Sequence, residues 1–139
     1  MGLQYRVVGG SFQRGDRGLA KLIALMKIRE DIDAHEVRRM YEEQHVPLVM
    51  HLMPMIRDYR RNYLDRTRAL MPASGEWPDF DVLTELFFDS DADLGTFLNC
   101  MREGEEGRRL RADSARFLKA GTTRVFAVEE TVAAARPVS

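Results

Sequence analysis

The chain has a single cysteine, Cys100, which excludes an intrachain disulfide and any zinc site built on thiolates. A reducing compartment fits that usage. No apolar run approaches the roughly 20 residues that a bilayer-spanning helix needs, and Met1-Gly2-Leu3-Gln4-Tyr5-Arg6 lacks the charged-then-apolar order of a signal peptide. The expectation is a cytoplasmic protein with no membrane partner. Charge of one sign is missing too. The 21 basic residues face 22 acidic ones, a formal net charge of −1, so no long-range field gathers nucleic acid or anionic lipid. The Arg-rich stretches at 57–61 and 108–111 have acidic neighbours and read as solvated faces. His35, His45 and His51 have no metal-ligand spacing, so no metal is expected.

What remains is a chain of 139 residues, enough for one buried core and too little for two. Leu3 to Val8 has the make-up of a short strand, but Gly9-Gly10 and a polar stretch to Gly18 follow it. Residues 1–19 therefore read as a mobile or loosely docked extension, 20–130 as the domain, and 131–139 as a flexible tail. Lys21 to Ile28 is an apolar run of strand length. Asp33 stands three residues ahead of Glu36, a capping arrangement that starts a helix whose inward stripe is Val37, Met40, Tyr41 and Gln44. Pro47 predicts a kink or break near His45-Val46 before Leu48, Val49 and Leu52 continue.

Met55 to Leu64 alternates as a second strand, with Arg57, Tyr59, Arg61 and Tyr63 on one face and Ile56, Asp58, Arg60, Asn62 and Leu64 on the other. Pro72, Ser74, Gly75 and Pro78 mark a loop long enough to be a lid or binding loop. A third strand spans Phe80 to Asp89. Ser90 with Asp93 starts a second helix with the stripe Leu94, Phe97, Leu98 and Met101. Gly104 and Gly107 interrupt it, helical spacing runs on to Ala120, Gly121 stops it, and Thr122 to Val128 is the last strand.

The order β-α-β-β-α-β is an α+β arrangement. Right-handed crossovers place both helices on one face of a four-stranded antiparallel sheet. The other face is left bare, and apolar surface in water costs about 25 cal/mol per Å². A second copy packed face to face is the expected cover, making a homodimer through the sheet face.

The stretch Tyr41-Glu42-Glu43-Gln44-His45-Val46-Pro47-Leu48-Val49 resembles the signature of the EthD family, aromatic-x-x-x-His-x-Pro-Leu-Val. Tyr59 with Asn62, Phe80-Asp81 to Glu85-Leu86, Glu106-Gly107, Asp113 with Phe117, and Val128-Glu129-Glu130 agree in spacing, so the resemblance covers about Leu22 to Glu130. It departs at Tyr41-Glu42, where the family often has a second aromatic, and residues 67–78 and 1–19 match nothing particular. The resemblance implies a ferredoxin-like fold of the dimeric α+β barrel superfamily. It also implies a cofactor-independent enzyme acting by proton transfer on an aromatic or polyketide-like small molecule, as a cyclase, dehydratase, isomerase or cofactor-free oxygenase. Other members have no known reaction, so the alternative is a non-catalytic small-molecule-binding or accessory protein of a degradation or biosynthesis pathway.

His45 shares a helix face with Tyr41. It either exchanges protons with a substrate between helix and sheet or fixes the broken turn by bonding a freed carbonyl. Asp113 either orients His45 or caps the turn that follows. Tyr59 and Asn62 are candidate hydrogen-bond partners of a substrate, but in a regular strand they point to opposite faces, so a shared pocket needs a bulge between them. Glu85 and Asp81 either line a pocket or, the preferred reading, pair with Arg57 or Arg61 across the sheet. Substrate-binding candidates also include His51, six residues beyond His45 and off its face, and Trp77, a lid residue or a loop anchor. Cys100, with no basic motif beside it, reads as buried and inert.

Overall fold

The structure, a computed structural model, describes residues 19–138. The strand expected at Leu3 to Val8, and all of the N-terminal extension except its last residue, lie outside the described residues. Four strands form one antiparallel sheet: β1 (Ala20–Met26), β2 (Ile56–Tyr63), β3 (Val82–Phe88) and β4 (Arg124–Val128). Their spatial order is β2-β3-β1-β4, the order that two interlocked β-α-β units produce.

The register sorts the side chains by face. Ala24 lies beside Thr84 and Val125, and Thr84 beside Arg61. Leu22 lies beside Leu86 and Ala127, and Leu86 beside Tyr59. These rows turn toward the helices, where Ala20, Leu22, Leu86 and Phe88 pack against Val49, Met53, Leu94, Phe97 and Leu110. The opposite face carries Ile23 and Leu25 of β1, Leu83, Glu85 and Phe87 of β3, and Phe126 of β4, with Lys21 and Asn62 among them. Phe126 is 51 % exposed there, and Phe87 is covered by the cationic ends of Lys21 and Arg60, 4.9 and 5.0 Å from its ring.

The helix starts follow the expected chemistry. Asp33 accepts from the amides of His35 and Glu36 and begins α1 (Ala34–Arg39), and the Ser90 hydroxyl accepts from Asp93 N and begins α3 (Asp91–Glu103). Gly104 turns the chain into α4 (Glu105–Ser114).

Three local expectations are corrected. First, the kink or break expected near His45-Val46 takes the form of a π turn, and the helix continues through it. A π-helical segment, Met40–His45, joins α1 to α2 (Val46–Leu52), and the Val46 amide reaches the Tyr41 carbonyl five residues back. Second, a bulge between Ile56 and Asp58 shifts the phase of β2, so Ile56 is buried on the same side as Tyr59, Arg61 and Tyr63 while Arg57 is exposed. Third, α4 stops at Ser114 rather than Ala120. The Phe117 carbonyl accepts from Arg29 N, Lys119 N donates to the Lys27 carbonyl, and Ile28 bridges Leu118. Long-range backbone pairing with the end of β1 outweighs local helical spacing there. Gly121, at φ 75, makes the turn into β4. Among the described residues no helix is long and apolar enough to cross a membrane.

The α3–α4 junction supplies a stability test. A Cβ at Gly107 would meet the Cys100 carbonyl oxygen and lie 2.6 Å from Met101 Cα, whereas one at Gly95 meets nothing within 4 Å. Gly107→Ala should cost about 1–3 kcal/mol by overpacking. Gly95→Ala should gain about 0.5–1 kcal/mol from helix propensity. Urea unfolding of the two variants checks the opposite signs.

Candidate active site

The helix that faces the sheet buries Val37, Tyr41, His45, Val49 and Met53, at four-residue intervals. Two of these bear polar groups, and both are held by partners. The His45 side chain is 6 % exposed and lies edge-on to the rings of Tyr41 and Phe117, at centroid distances of 5.6 and 5.2 Å. Its Nδ1 is 2.8 Å from Oδ2 of Asp113, near the end of α4. The other carboxylate oxygen accepts from Arg116 at 3.0 Å (Nε) and 2.6 Å (Nη2), and Arg116 also donates to Gln44 Oε1 at 2.9 Å. A carboxylate clamped by a guanidinium is an acceptor, so the shared proton is assigned to Nδ1. Nε2 then carries a lone pair with no hydrogen-bond partner among the described residues, and since it is not fully buried it keeps a contact with solvent.

Burial is the largest influence on the imidazole and lowers its proton affinity. The bond and charge of Asp113 act the other way, and the nearby Arg116 charge adds a smaller lowering. A neutral His45 at neutral pH follows. Its electronics match a general base: one nitrogen occupied by an orienting carboxylate, the other free.

Beside it lies a row of buried hydroxyls. Tyr41 Oη is 2.9 Å from Thr84 Oγ1, 3.1 Å from Tyr59 Oη and 3.1 Å from Met26 Sδ. Burial pushes the phenols of Tyr41 and Tyr59 up, so both are protonated donors at neutral pH. Glu42 stands next along the helix, bound by Arg61 at 3.0 and 2.6 Å and by Tyr63 Oη at 2.7 Å; Arg61 holds its carboxyl below the usual range. The Arg61 guanidinium also lies 4.8 Å from the Tyr59 ring centre. Glu42 lies outside the inward stripe expected from the sequence, which does not reveal this group. Its signal was the face shared by Tyr59, Arg61 and Tyr63 on β2.

The structure thus brings together His45, Asp113, Tyr41 and Tyr59, and separates the rest. Asn62 lies on the open sheet face, donating to the Leu83 carbonyl at 2.9 Å and to Glu85 Oε1 at 3.0 Å. The β2 bulge falls at Arg57, not between Tyr59 and Asn62, so those two share no pocket. Glu85 forms an ion pair as preferred, but with Lys21 at 2.6 Å. Asp81 pairs with Arg66 at 2.8 Å, Arg61 is committed to Glu42, and Arg57 reaches Asp89 at 3.9 Å. The partners differ from expectation because the bulge turns Arg57 to the edge and Arg61 faces the helix. His51 is exposed on α2, away from the His45 stripe. Trp77 is 52 % exposed in the β2–β3 loop, 5.7 Å from the Arg66 guanidinium. His45 bonds a carboxylate rather than a freed carbonyl, and the Asp113 side chain goes to His45 and Arg116 rather than to a backbone cap. Cys100 is only partly buried. Among the described residues no three His, Cys, Asp or Glu side chains gather as a metal site.

The lowered proton affinity of His45 makes stability depend on pH. The unfolded chain takes up the proton at the ordinary value of 6.5 and the folded chain only below it. Stability linked to the neutral ring is complete above 6.5 and is lost as pH falls through the folded value. Between about pH 7.5 and about pH 5, wild type should lose more stability in urea than His45→Asn, which has no ring to titrate. Parallel pH profiles would show that the ring is not desolvated.

Comparison with known proteins places this geometry in a family. The EthD domain model matches residues 29–121. An uncharacterized 11.0 kDa protein in the thcB-thcC intergenic region of Rhodococcus erythropolis is 32% identical over 92 residues, covering 66% of this chain and 79% of that protein. An EthD family protein from Bacillus halodurans is similar in structure, with TM-score 0.55, 24% identity, and 81% and 98% of the two chains covered. A dimeric ferredoxin-like protein of unknown function from Bacteroides fragilis matches at TM-score 0.50 and 15% identity, over 81% and 97% of the chains. A hydroxynitrile lyase from Passiflora edulis matches at TM-score 0.54 and 10% identity, over 83% and 97%. These structural likenesses concern the ferredoxin-like fold, while the match over 29–121 carries the family: the chain belongs to the EthD family.

Proposed function

We propose that the protein is a cofactor-independent enzyme that moves a proton on an aromatic or polyketide-like small molecule, with His45 Nε2 as the general base. The observation that carries this reading is the buried imidazole bonded at 2.8 Å to Asp113 with its other nitrogen unpartnered. Asp113 orients the ring and stabilises the imidazolium that forms, and Arg116 keeps the carboxylate in place. Tyr59 is the candidate donor to an enolate or phenolate oxygen, the role that Asn62, on the other sheet face, cannot share. Cyclisation, dehydration, isomerisation and cofactor-free oxygenation all begin with such a deprotonation, so one base serves any of them. The Passiflora edulis protein is a lyase on the same fold, which supports an active site being housed there.

The bare sheet face supports a second proposal, a homodimer packed face to face. Ile23, Leu25, Leu83, Phe87 and Phe126 make it apolar, and the similar Bacteroides fragilis protein is described as dimeric. A monomer in sedimentation at micromolar concentration would rule the dimer out.

Catalysis is tested without knowing the product. Enolisable aromatic ketones are incubated with the protein in D₂O, and exchange at the acidic carbon is followed by NMR. Wild type should accelerate exchange of at least one compound, and His45→Asn should lower that rate about 10²–10⁴-fold while ligand affinity persists. Equal rates for both proteins, or binding by wild type with no exchange, would favour a carrier.

A further inference from the structure

We propose that Pro47 is a positioning residue for His45, acting by keeping the helix in its π conformation. Its functional weight rests on the reading of His45 as the base, but its structural basis is separate. Val37, Tyr41, His45, Val49 and Met53 are all buried, and all are four residues apart. In a regular α-helix four residues overshoot one turn by about 40°, so five such positions would drift by about 160° around the axis. One end of the stripe would then face solvent. The π segment Met40–His45 lies in the middle of the stripe, and its wider turn, closed by Val46 N–H on the Tyr41 carbonyl, takes up the drift. That turn keeps His45 over Phe117 and within 2.8 Å of Asp113.

The cause of the π turn is local. Pro47 has no amide hydrogen, and in a regular α-helix its ring would collide with the carbonyl of Glu43. A widened turn avoids that clash, whereas an ordinary residue at 47 would let the α ladder close. Pro47 is itself exposed, at the start of α2, so removing its ring leaves no hole in the core. Its effect is on geometry rather than packing.

The test compares Pro47→Ala with Pro54→Ala, a control at an exposed proline just beyond the helix. In ¹⁵N-histidine-labelled protein, Pro47→Ala should stay folded, with an unfolding midpoint equal to or above wild type. The His45 proton affinity should rise toward the ordinary imidazole value, and the Nδ1–H resonance of the bond to Asp113 should disappear. Pro54→Ala should change neither. Retention of both wild-type signals in Pro47→Ala would overturn the proposal. So would failure of Pro47→Ala to fold, since Pro47 would then be a stability element. If His45→Asn keeps full exchange activity while Pro47→Ala still moves the imidazole, the catalytic reading falls and the positioning role stands.

Discussion

One buried contact, the imidazole of His45 against the carboxylate of Asp113, ties the two halves of the helical layer together and sets the chemistry of the chain. Removing a titratable ring from water costs free energy unless its polar atoms are bonded; Nδ1 is bonded to Asp113, and Nε2 keeps a contact with solvent. The fold bears that cost by building around it. Phe117 and Tyr41 supply apolar edges, Arg116 fixes the carboxylate, and Gln44 holds Arg116.

The sheet divides its labour by face. Toward the helices, Tyr41 joins Tyr59, Thr84 and Met26 in a row of hydroxyls and sulfur, and at its edge Glu42 and Arg61 neutralise one another while the Tyr63 hydroxyl donates to Glu42. Away from the helices, the Lys21–Glu85–Asn62 group sits among apolar side chains. Polar groups are paired on both faces, Arg124 Nε on β4 being a buried exception, so the register of the strands is specified from both sides. The same alternation that makes a site on one face leaves an adhesive surface on the other.

Much of this was legible in the sequence where the signal was local. Asp33 and Ser90 are caps whose chemistry needs only the next three residues, and the apolar run of strand length from Lys21 to Ile28 needs no distant partner to be seen. Asp113 as the partner of His45 was open between two readings, since the spacing of residues 68 apart says nothing about distance. A stripe that ends at Gln44 and a kink or break near His45-Val46 do not reveal the π turn. The four-residue repeat from Val37 to Met53 was the available signal. The end of α4 was missed because helical spacing through Phe117 competes with backbone bonds to Arg29 and Lys27, which no local pattern reveals. Asn62 is a strand residue, as its alternation indicates, but it lies on the face away from His45, bonded to Glu85, because the face on which a site lies is a tertiary fact.

The central claim is a neutral His45 at neutral pH, with its proton on Nδ1 and Nε2 bare. Long-range ¹⁵N–¹H correlation spectra of the wild-type protein near pH 7 read both ring nitrogens directly. The account predicts a protonated-type shift for Nδ1 and an unprotonated one for Nε2. An imidazolium pattern, or a proton found on Nε2, would contradict it.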